Sequence, residues 1–309
     1  MSNNEQFLDS LRIPFDRETI DRMTQYADGA SFLTAPILLH EQIALDTWRI
    51  RIECPAIARC MVPGQFVMLR LDGVNDPLIG RALAMYDRIC DSSGNPFAID
   101  LVYLAKGKFT TALSRSGTNA RIGIWGPLGN GFCTDPVDHL VMVAGGVGQT
   151  PMLTLGQEAL GSEAFGDPAR RSGYANRVTL CYGARSVNRL AGVEDFRRSG
   201  FDVELATEDG SLGGISMRVT DLLLNILTNH PKDQSLRIAC CGPEPMMEAV
   251  ASIARNEKIR CEVSLETPMA CGIGICFTCV AKVLQSNGDW DYQRTCIEGP
   301  VLDAACVVW

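Results

Sequence analysis

Residues 139–160 read "HLVMVAGGVGQTPMLTLGQEAL": an apolar run, then glycines, then a helical pattern. "HLVMVA" has the composition of a strand buried on both faces. Gly145, Gly146 and Gly148 end it, and apolar residues then recur at helical spacing through "QTPMLTLGQEAL". A strand broken by glycines into a helix is the repeating unit of a parallel sheet covered by helices. The alternation continues C-terminally. "RVTLCYGA" (177–184) reads as strand, "GVEDFRRSG" (192–200) as a short helix ended by Gly200, and "FDVELATEDG" (201–210) as strand. "VTDLLLNIL" (219–227) reads as helix, "LRIACCGP" (236–243) as strand and "EPMMEAVASIARNE" (244–257) as helix. In the other direction the texture changes. "TWRIRIEC", "GQFVMLRLD", "RALAMYDRI" and "FAIDLVYLA" are short β-type runs separated by turn signals such as "DSSGNP", the pattern of an antiparallel barrel or sandwich. The expected organisation is an N-terminal extension over 1–30, an antiparallel β-barrel over 31–134, a doubly wound parallel-sheet domain over 135–262 and a small cysteine-rich module over 263–309. In the extension a short helix is expected after Pro14, with Ile20, Met23 and Tyr26 along one side.

The 309 residues are 46% hydrophobic and 21% charged, enough to bury a core in each part. Lys and Arg total 28 against 36 for Asp and Glu, a formal charge of −8. That balance argues against a nucleic-acid backbone as partner. "MSNNEQFLDSLRIPFDRETIDRM" lacks a basic-then-apolar signal pattern, and the most apolar stretch is too short and too broken to span a bilayer, so a cytoplasmic protein without a membrane partner is expected. Its 13 cysteines are then expected as reduced thiols or metal ligands, not as a disulfide framework. Cys54, Cys60, Cys90, Cys133, Cys181, Cys240, Cys241, Cys261 and Cys306 are scattered and read as small buried hydrophobes. His40, His139 and His230 form no constellation with an acid and a nucleophile.

The glycine turn stands where a nucleotide's phosphates can approach bare backbone and a helix start. Its spacing is not G-x-G-x-x-G, and strand-to-helix turns often use glycine for geometry alone. Gly242 and Pro243 end another parallel strand, and "TEDGSLGG" (207–214) follows the strand between, so three loops line one edge of the sheet. Arg185 and Ser186 follow "RVTLCYGA" where an acid would hold a ribose, which leaves NADH and NADPH both open.

The remaining cysteines stand in "MACGIGICFTCV" (269–280). With Cys296 they give C-x4-C-x2-C-x16-C: Cys271, Cys276, Cys279 and Cys296. The first three follow the plant-type spacing of a [2Fe–2S] cluster with a distant fourth ligand. A loop that aims N–H groups at sulfur needs unusual backbone angles, hence Gly272 and Gly274. Structural zinc, which prefers two C-x2-C knuckles, and plain core packing are the alternatives. A cluster moves one electron at a time and a nicotinamide two, so a flavin is expected between them. Arg81, in the strand "RALA", offers a guanidinium for a pyrophosphate; as a lone strand arginine it reads equally as a surface residue.

From about residue 36 to 309 the chain resembles the electron-transfer subunits of NAD-dependent dihydroorotate dehydrogenase, within the ferredoxin–NADP reductase superfamily. The resemblance rests on "RALA" (81–84), "GPLGNGF" (126–132), "AGGVGQTPM" (144–152), "YGARS" (182–186) and "EDGSLG" (208–213). It continues through "CCGPEPMM" (240–247), "SLETPMACGIGICFTCV" (264–280) and "EGPVLDAACVVW" (298–309). It implies an FAD-binding barrel, an NAD-binding α/β domain and a [2Fe–2S] module. The expected activity is electron transfer between NAD(H) and a partner dihydroorotate dehydrogenase subunit that holds FMN, in a heterotetramer serving pyrimidine biosynthesis. Carried over by residue, Arg81, Ala82, Leu83 and Ala84, with Val102, Tyr103 and Leu104, would meet the FAD. Gly107, Phe109 and Thr110 would lie at its phosphates. Gly145, Gly146, Gly148, Thr150, Arg185, Gly242 and Pro243 would line the NAD site. Cys271, Cys276, Cys279 and Cys296 would hold the iron.

Two departures stand out. The family's "RP(I/L)S" is "RALA" here, so Ala84 lacks a hydroxyl expected near the flavin. The G-x-G-T loop reads "GKFT", and Phe109 is expected to reshape or partly block the FAD site. Two rival readings follow: a related reductase serving a ferredoxin, a sulfur compound or a hydrogenase, and a sensor that has lost FAD.

Overall fold

The computed structural model describes residues 27–309, so the helix expected after Pro14 lies outside the described residues. Six antiparallel strands close a barrel: β1 (Ser31–Ala44), β2 (Thr47–Glu53), β3 (Phe66–Leu71), β4 (Arg81–Cys90), β5 (Pro96–Leu104) and β6 (Arg121–Leu128), in the order β1-β2-β5-β4-β3-β6. Closure depends on β1, which pairs with β6 through Pro36 and with β2 from Ile37 onward. Helix α1 (Pro55–Cys60) packs Ile57 and Ala58 into the barrel core. The short helix α2 (Lys108–Leu113) adds Phe109 and Leu113 to that same core.

The second domain is a six-stranded sheet in the order β14-β11-β10-β7-β8-β9. Here β7 is Val137–Gly145, β8 Ala175–Ala184, β9 Asp202–Thr207, β10 Leu236–Cys241, β11 Arg260–Ser264 and β14 Val301–Asp303. All neighbours are parallel except β14, which returns from the cysteine-rich module to pair antiparallel with β11. Alternation along β7 separates two cores. Leu140, Met142 and Ala144 join a cluster with α3 (Met152–Leu160) and Phe196 of α4 (Val193–Arg198). Val141 and Val143 join one with α5 (Val219–Asn229) and α6 (Glu244–Glu257). From β7 the chain winds outward first through β8 and β9, then through β10 and β11, so the switch point lies between β7 and β10. Beyond the sheet, β12 (Val280–Leu284) and β13 (Trp290–Arg294) form a hairpin in the cysteine-rich module. Among the described residues no helix is long and apolar enough to cross a membrane.

The expectation for the scattered cysteines needs correction at one residue and softening at four. Cys54, Cys181, Cys240 and Cys261 are buried, and burial pushes the thiols of Cys54, Cys181 and Cys261 up to about 12. Cys60, Cys133, Cys241 and Cys306 are half-buried. Cys90 is exposed, because it ends β4 beside the turn into β5.

Asp87 carries a pH signature. It pairs across the sheet with Asp100, and burial, then the Asp100 charge, raises its carboxyl to about 6. The folded state therefore holds this proton more tightly than the unfolded chain does. The resulting stability is complete below about pH 4 and is lost as pH rises through about 6. Asp87→Asn is expected to stabilise the protein by about 1–3 kcal/mol at pH 8 and not at all below pH 4, read from urea midpoints at the two pH values.

Candidate redox site

Three bodies meet on the outer face of β4. Leu83 and Met85 point into the barrel, while Tyr86 packs in the α/β core and Ala82 packs against the cysteine-rich module. The outward side of this strand thus runs from the module at Ala82, past Ala84, to the nucleotide domain at Tyr86. At about 3.3 Å per residue that span is roughly 13 Å, short enough for one extended cofactor to touch both.

The module is held there by apolar and polar contacts. Phe66, Met68 and Leu128 of the barrel pack with Met269, Cys279, Cys296 and Ile297. Trp125 Nε1 donates to the Cys271 carbonyl at 2.9 Å. Asn130, within "GPLGNGF", donates to the Val301 carbonyl at 2.8 Å and accepts from the Val301 N–H at 3.0 Å. That gives one physical reason for two of the motifs, since the barrel's exit loop binds the start of β14.

Cys279 and Cys296 are buried with their sulfurs 3.0 Å apart. Cys271 Sγ accepts from the Ile273 N–H at 3.4 Å, and Cys276 Sγ from the Thr278 hydroxyl at 3.1 Å. The Thr278 hydrogen bond lowers the Cys276 thiol to about 6, and sharing a proton with Cys296 lowers Cys279 in the same way. Gly272 and Gly274 take the left-handed angles anticipated for such a loop. A Cβ on Gly274 would stand 1.8 Å from Ile297 Cδ1, so any other residue there would displace the Ile297 side chain as well as strain the backbone at φ +80°. Among the described residues, no three His, Cys, Asp or Glu side chains close on one metal position. The fit to an iron–sulfur group therefore rests on donor chemistry: a low-pKa thiol at Cys276, a Cys279–Cys296 pair that shares one proton, an N–H and an O–H aimed at sulfur, and a glycine-turned loop. Arg294, unremarked in the sequence, donates Nη1 to the Gly274 carbonyl at 3.1 Å and braces this loop.

On the barrel side, Arg81 is exposed, with its guanidinium 3.5 Å from where a Cβ on Gly107 would stand. The Thr110 hydroxyl accepts from the N–H groups of Lys106 and Gly107, both at 3.1 Å, and shapes the turn. Phe109 corrects an expectation: its ring is buried in the barrel core and does not stand out over the turn at Gly107. The cause is helical spacing, which puts Phe109 and Leu113 on one inward face of α2. Tyr103 likewise points inward, its hydroxyl 2.7 Å from His40 Nε2. Of the 102–104 trio the outward side chains are Val102 and, by alternation, Leu104.

At the switch point the turns after β7 and β10 touch. A Cβ on Gly148 would lie 2.3 Å from the Cys241 carbonyl oxygen, and one on Gly145 would lie 2.8 Å from Pro243. These glycines serve loop packing. Gly146 differs, with φ +56° and open space beside it. Gly148→Ala is expected to cost about 2–3 kcal/mol by overpacking and Gly146→Ala about 1–2 kcal/mol for its backbone angle alone, read as denaturant midpoints. Thr150 donates to the Val147 carbonyl at 2.6 Å and reaches the Val102 carbonyl at 3.4 Å, tying this turn to β5. Arg185 stands exposed at the end of β8.

Two known families match the chain in parts: the iron–sulfur cluster binding domain of dihydroorotate dehydrogenase B over residues 266–308, and the oxidoreductase NAD-binding domain over 142–252. The dihydroorotate dehydrogenase B (NAD(+)) electron transfer subunit of Desulforamulus reducens is 31% identical over 277 residues, covering 89% of this chain and 97% of the relative. The chain belongs to this family of electron transfer subunits. A homolog from Aquifex aeolicus is also 31% identical, over 87% of this chain and 96% of its own. Among solved structures, a chain of the NADH-dependent reduced ferredoxin-NADP oxidoreductase is 26% identical, with TM-score 0.72 and 90% of each chain covered. Phthalate dioxygenase reductase, at 14% identity and TM-score 0.56, shares the fold. The electron transfer subunit family thus accounts for a barrel, a doubly wound sheet and a cluster loop in one chain.

Proposed function

We propose that this chain carries electrons between NAD(H) and a partner catalytic subunit that oxidises dihydroorotate, by way of FAD on β4 and a [2Fe–2S] cluster in the C-terminal module. The observation that carries the reading is the outward face of β4, which joins the nucleotide domain at Tyr86 to the cysteine module at Ala82. When bound, a flavin turns a hydride's electron pair into single electrons and an iron–sulfur cluster relays them. The protein's own residues do the rest. Arg81, Gly107 and Thr110 hold a pyrophosphate, and the outward face of Ala82 and Ala84 leaves room for a flat ring. The turns at 145–150 and 242–243 receive the nicotinamide nucleotide at the switch point. Cys271, Cys276, Cys279 and Cys296 hold the iron. Around the cluster loop Ile275 and Phe277 are 73% and 63% exposed, an apolar rim suited to a protein acceptor. Burial of Phe109 in the barrel core removes one of the two departures on which a sensor that has lost FAD would rest.

The test is a visible spectrum of anaerobically purified protein before and after NADH. Flavin and cluster bands that both bleach support the reading. Cluster bands without flavin, or no bleaching with NADH, would sink it. Reduction by dihydroorotate once the family's catalytic subunit is added separates this role from that of a reductase serving another acceptor.

A further inference from the structure

The polar segment 161–174 joins α3 to β8, and two of its side chains, Phe165 and Arg170, reach the barrel. Phe165 is fully buried in the barrel core, in the same cluster as Ile57 and Met61. Arg88, near the end of β4, stacks on that ring with its guanidinium carbon 4.4 Å from the centroid, and it donates to Glu163 at 2.7 Å. Farther along, Arg170 donates twice to Glu158, at 2.7 Å each, and to the carbonyls of Phe132 and Pro63 at 3.0 and 3.4 Å. Glu158 belongs to the last turn of α3 and is fully buried; the Tyr174 hydroxyl donates to it as well, at 3.3 Å. The segment therefore fastens the C-terminal end of α3 to the barrel. The other end of α3 follows the glycine turn, where Thr150 reaches the Val102 carbonyl. Between these two points α3 lies directly against β4.

We propose that residues 161–174 are a positioning strap that fixes how far the nicotinamide turn stands from the flavin face of β4, with Phe165 as its anchor and Arg88, Glu163 and Arg170 as positioning residues. The proposal rests on the function given above. Hydride transfer needs the donor and acceptor atoms nearly in contact, and a displacement of about 1 Å can cost on the order of 100-fold in rate. A helix pinned at both ends sets that distance before the nucleotide arrives. With its far end released, α3 is held on β4 only by the turn at Thr150 and by side-chain packing.

The experiment is stopped-flow bleaching of the flavin by NADH in the full chain. Phe165→Ala is expected to keep its FAD and cluster absorbance and its NADH affinity within about twofold. Its bleaching rate at saturating NADH should fall about tenfold or more, and the long-wavelength absorbance of a nicotinamide stacked on flavin should weaken. Phe165→Leu should restore most of both. A Phe165→Ala protein that retains FAD and bleaches at the wild-type rate overturns the strap, as does a loss of rate that merely tracks a loss of FAD. Should Phe165→Ala not fold, Glu163→Gln leaves the core intact; a two- to threefold fall is then expected, roughly the effect of one surface ion pair, and an unchanged rate overturns the proposal. Failure of the wild-type chain to bind FAD or to bleach would overturn both readings, whereas a bleaching wild type with unaffected variants overturns the strap alone.

Discussion

Cys296→Ser is expected to abolish the cluster and, with it, all electron delivery to a partner, while leaving NADH bleaching of the flavin intact. Cys296 is 2% exposed and its sulfur is 3.0 Å from that of Cys279. A serine hydroxyl there is a hard, poorly acidic donor in place of a soft thiolate. The cysteines are also part of the packing between module and barrel, beside Phe66, Met68 and Ile297. Losing the proposed cluster should loosen the loop from Met269 to Phe277, since metal binding and local folding share one free energy. Iron and acid-labile sulfide should fall to background, and the cluster bands should vanish from the spectrum. The barrel and sheet, each with its own core, should keep their far-UV dichroism. A variant that keeps cluster bands would show that Cys296 is not a ligand and would reopen the choice of the fourth. A wild-type protein that is colourless in this region but binds zinc would dismiss the iron reading.

Much of this was legible because the decisive signals are local. The three close cysteines and their glycines lie within nine residues, and β7, β8 and β10 announce themselves by apolar runs that break at Gly, whereas β11 ("RCEVS") and β14 ("VLD") carry no such signal. Other features depend on contacts far apart in sequence. That β1 would change partners at Ile37 follows from barrel closure, which no single run reveals. In "GSEAFGDPARRSGY" nothing local distinguishes Phe165 from a loop residue, and its burial is decided by space under Arg88 in another domain. Trp125 and Arg294 bind the cluster loop through carbonyls, which carry no sequence signature. Phe109 is a different case. Its i, i+4 relation to Leu113 was visible, and it outweighed the analogy with a glycine at that position.

Asp100→Ala is expected to be the most destabilising single change in the barrel, by about 3–5 kcal/mol. The carboxylate is fully buried on β5 and is shared by two guanidinium groups from β2. Arg49 Nε donates to it at 2.6 Å, and Arg51 donates twice, at 2.7 and 3.0 Å. Removing the acid leaves two half-buried cations with Asp87 and Asp195 as their remaining counter-charges. Desolvation already paid by the arginines is then uncompensated, which is why breaking such a group costs far more than forming it contributes. The damage should not stay in β5. Arg49 also reaches Asp195 of α4 at 3.5 Å, and Asp195 accepts the Tyr86 hydroxyl at 2.7 Å. A freed Arg49 is drawn toward Asp195 and competes with Tyr86, the residue through which β4 meets the nucleotide domain. Asp100→Ala should therefore lower FAD retention as well as the urea midpoint, and Asp100→Asn, which keeps the shape and some acceptors, should lose roughly half as much. A midpoint shifted with FAD content unchanged would confine the Asp100 site to barrel stability and detach it from the cleft. An unshifted midpoint would mean that Asp87 takes over the arginines, which the Asp87→Asn, Asp100→Ala pair would expose as a loss larger than the sum of its parts.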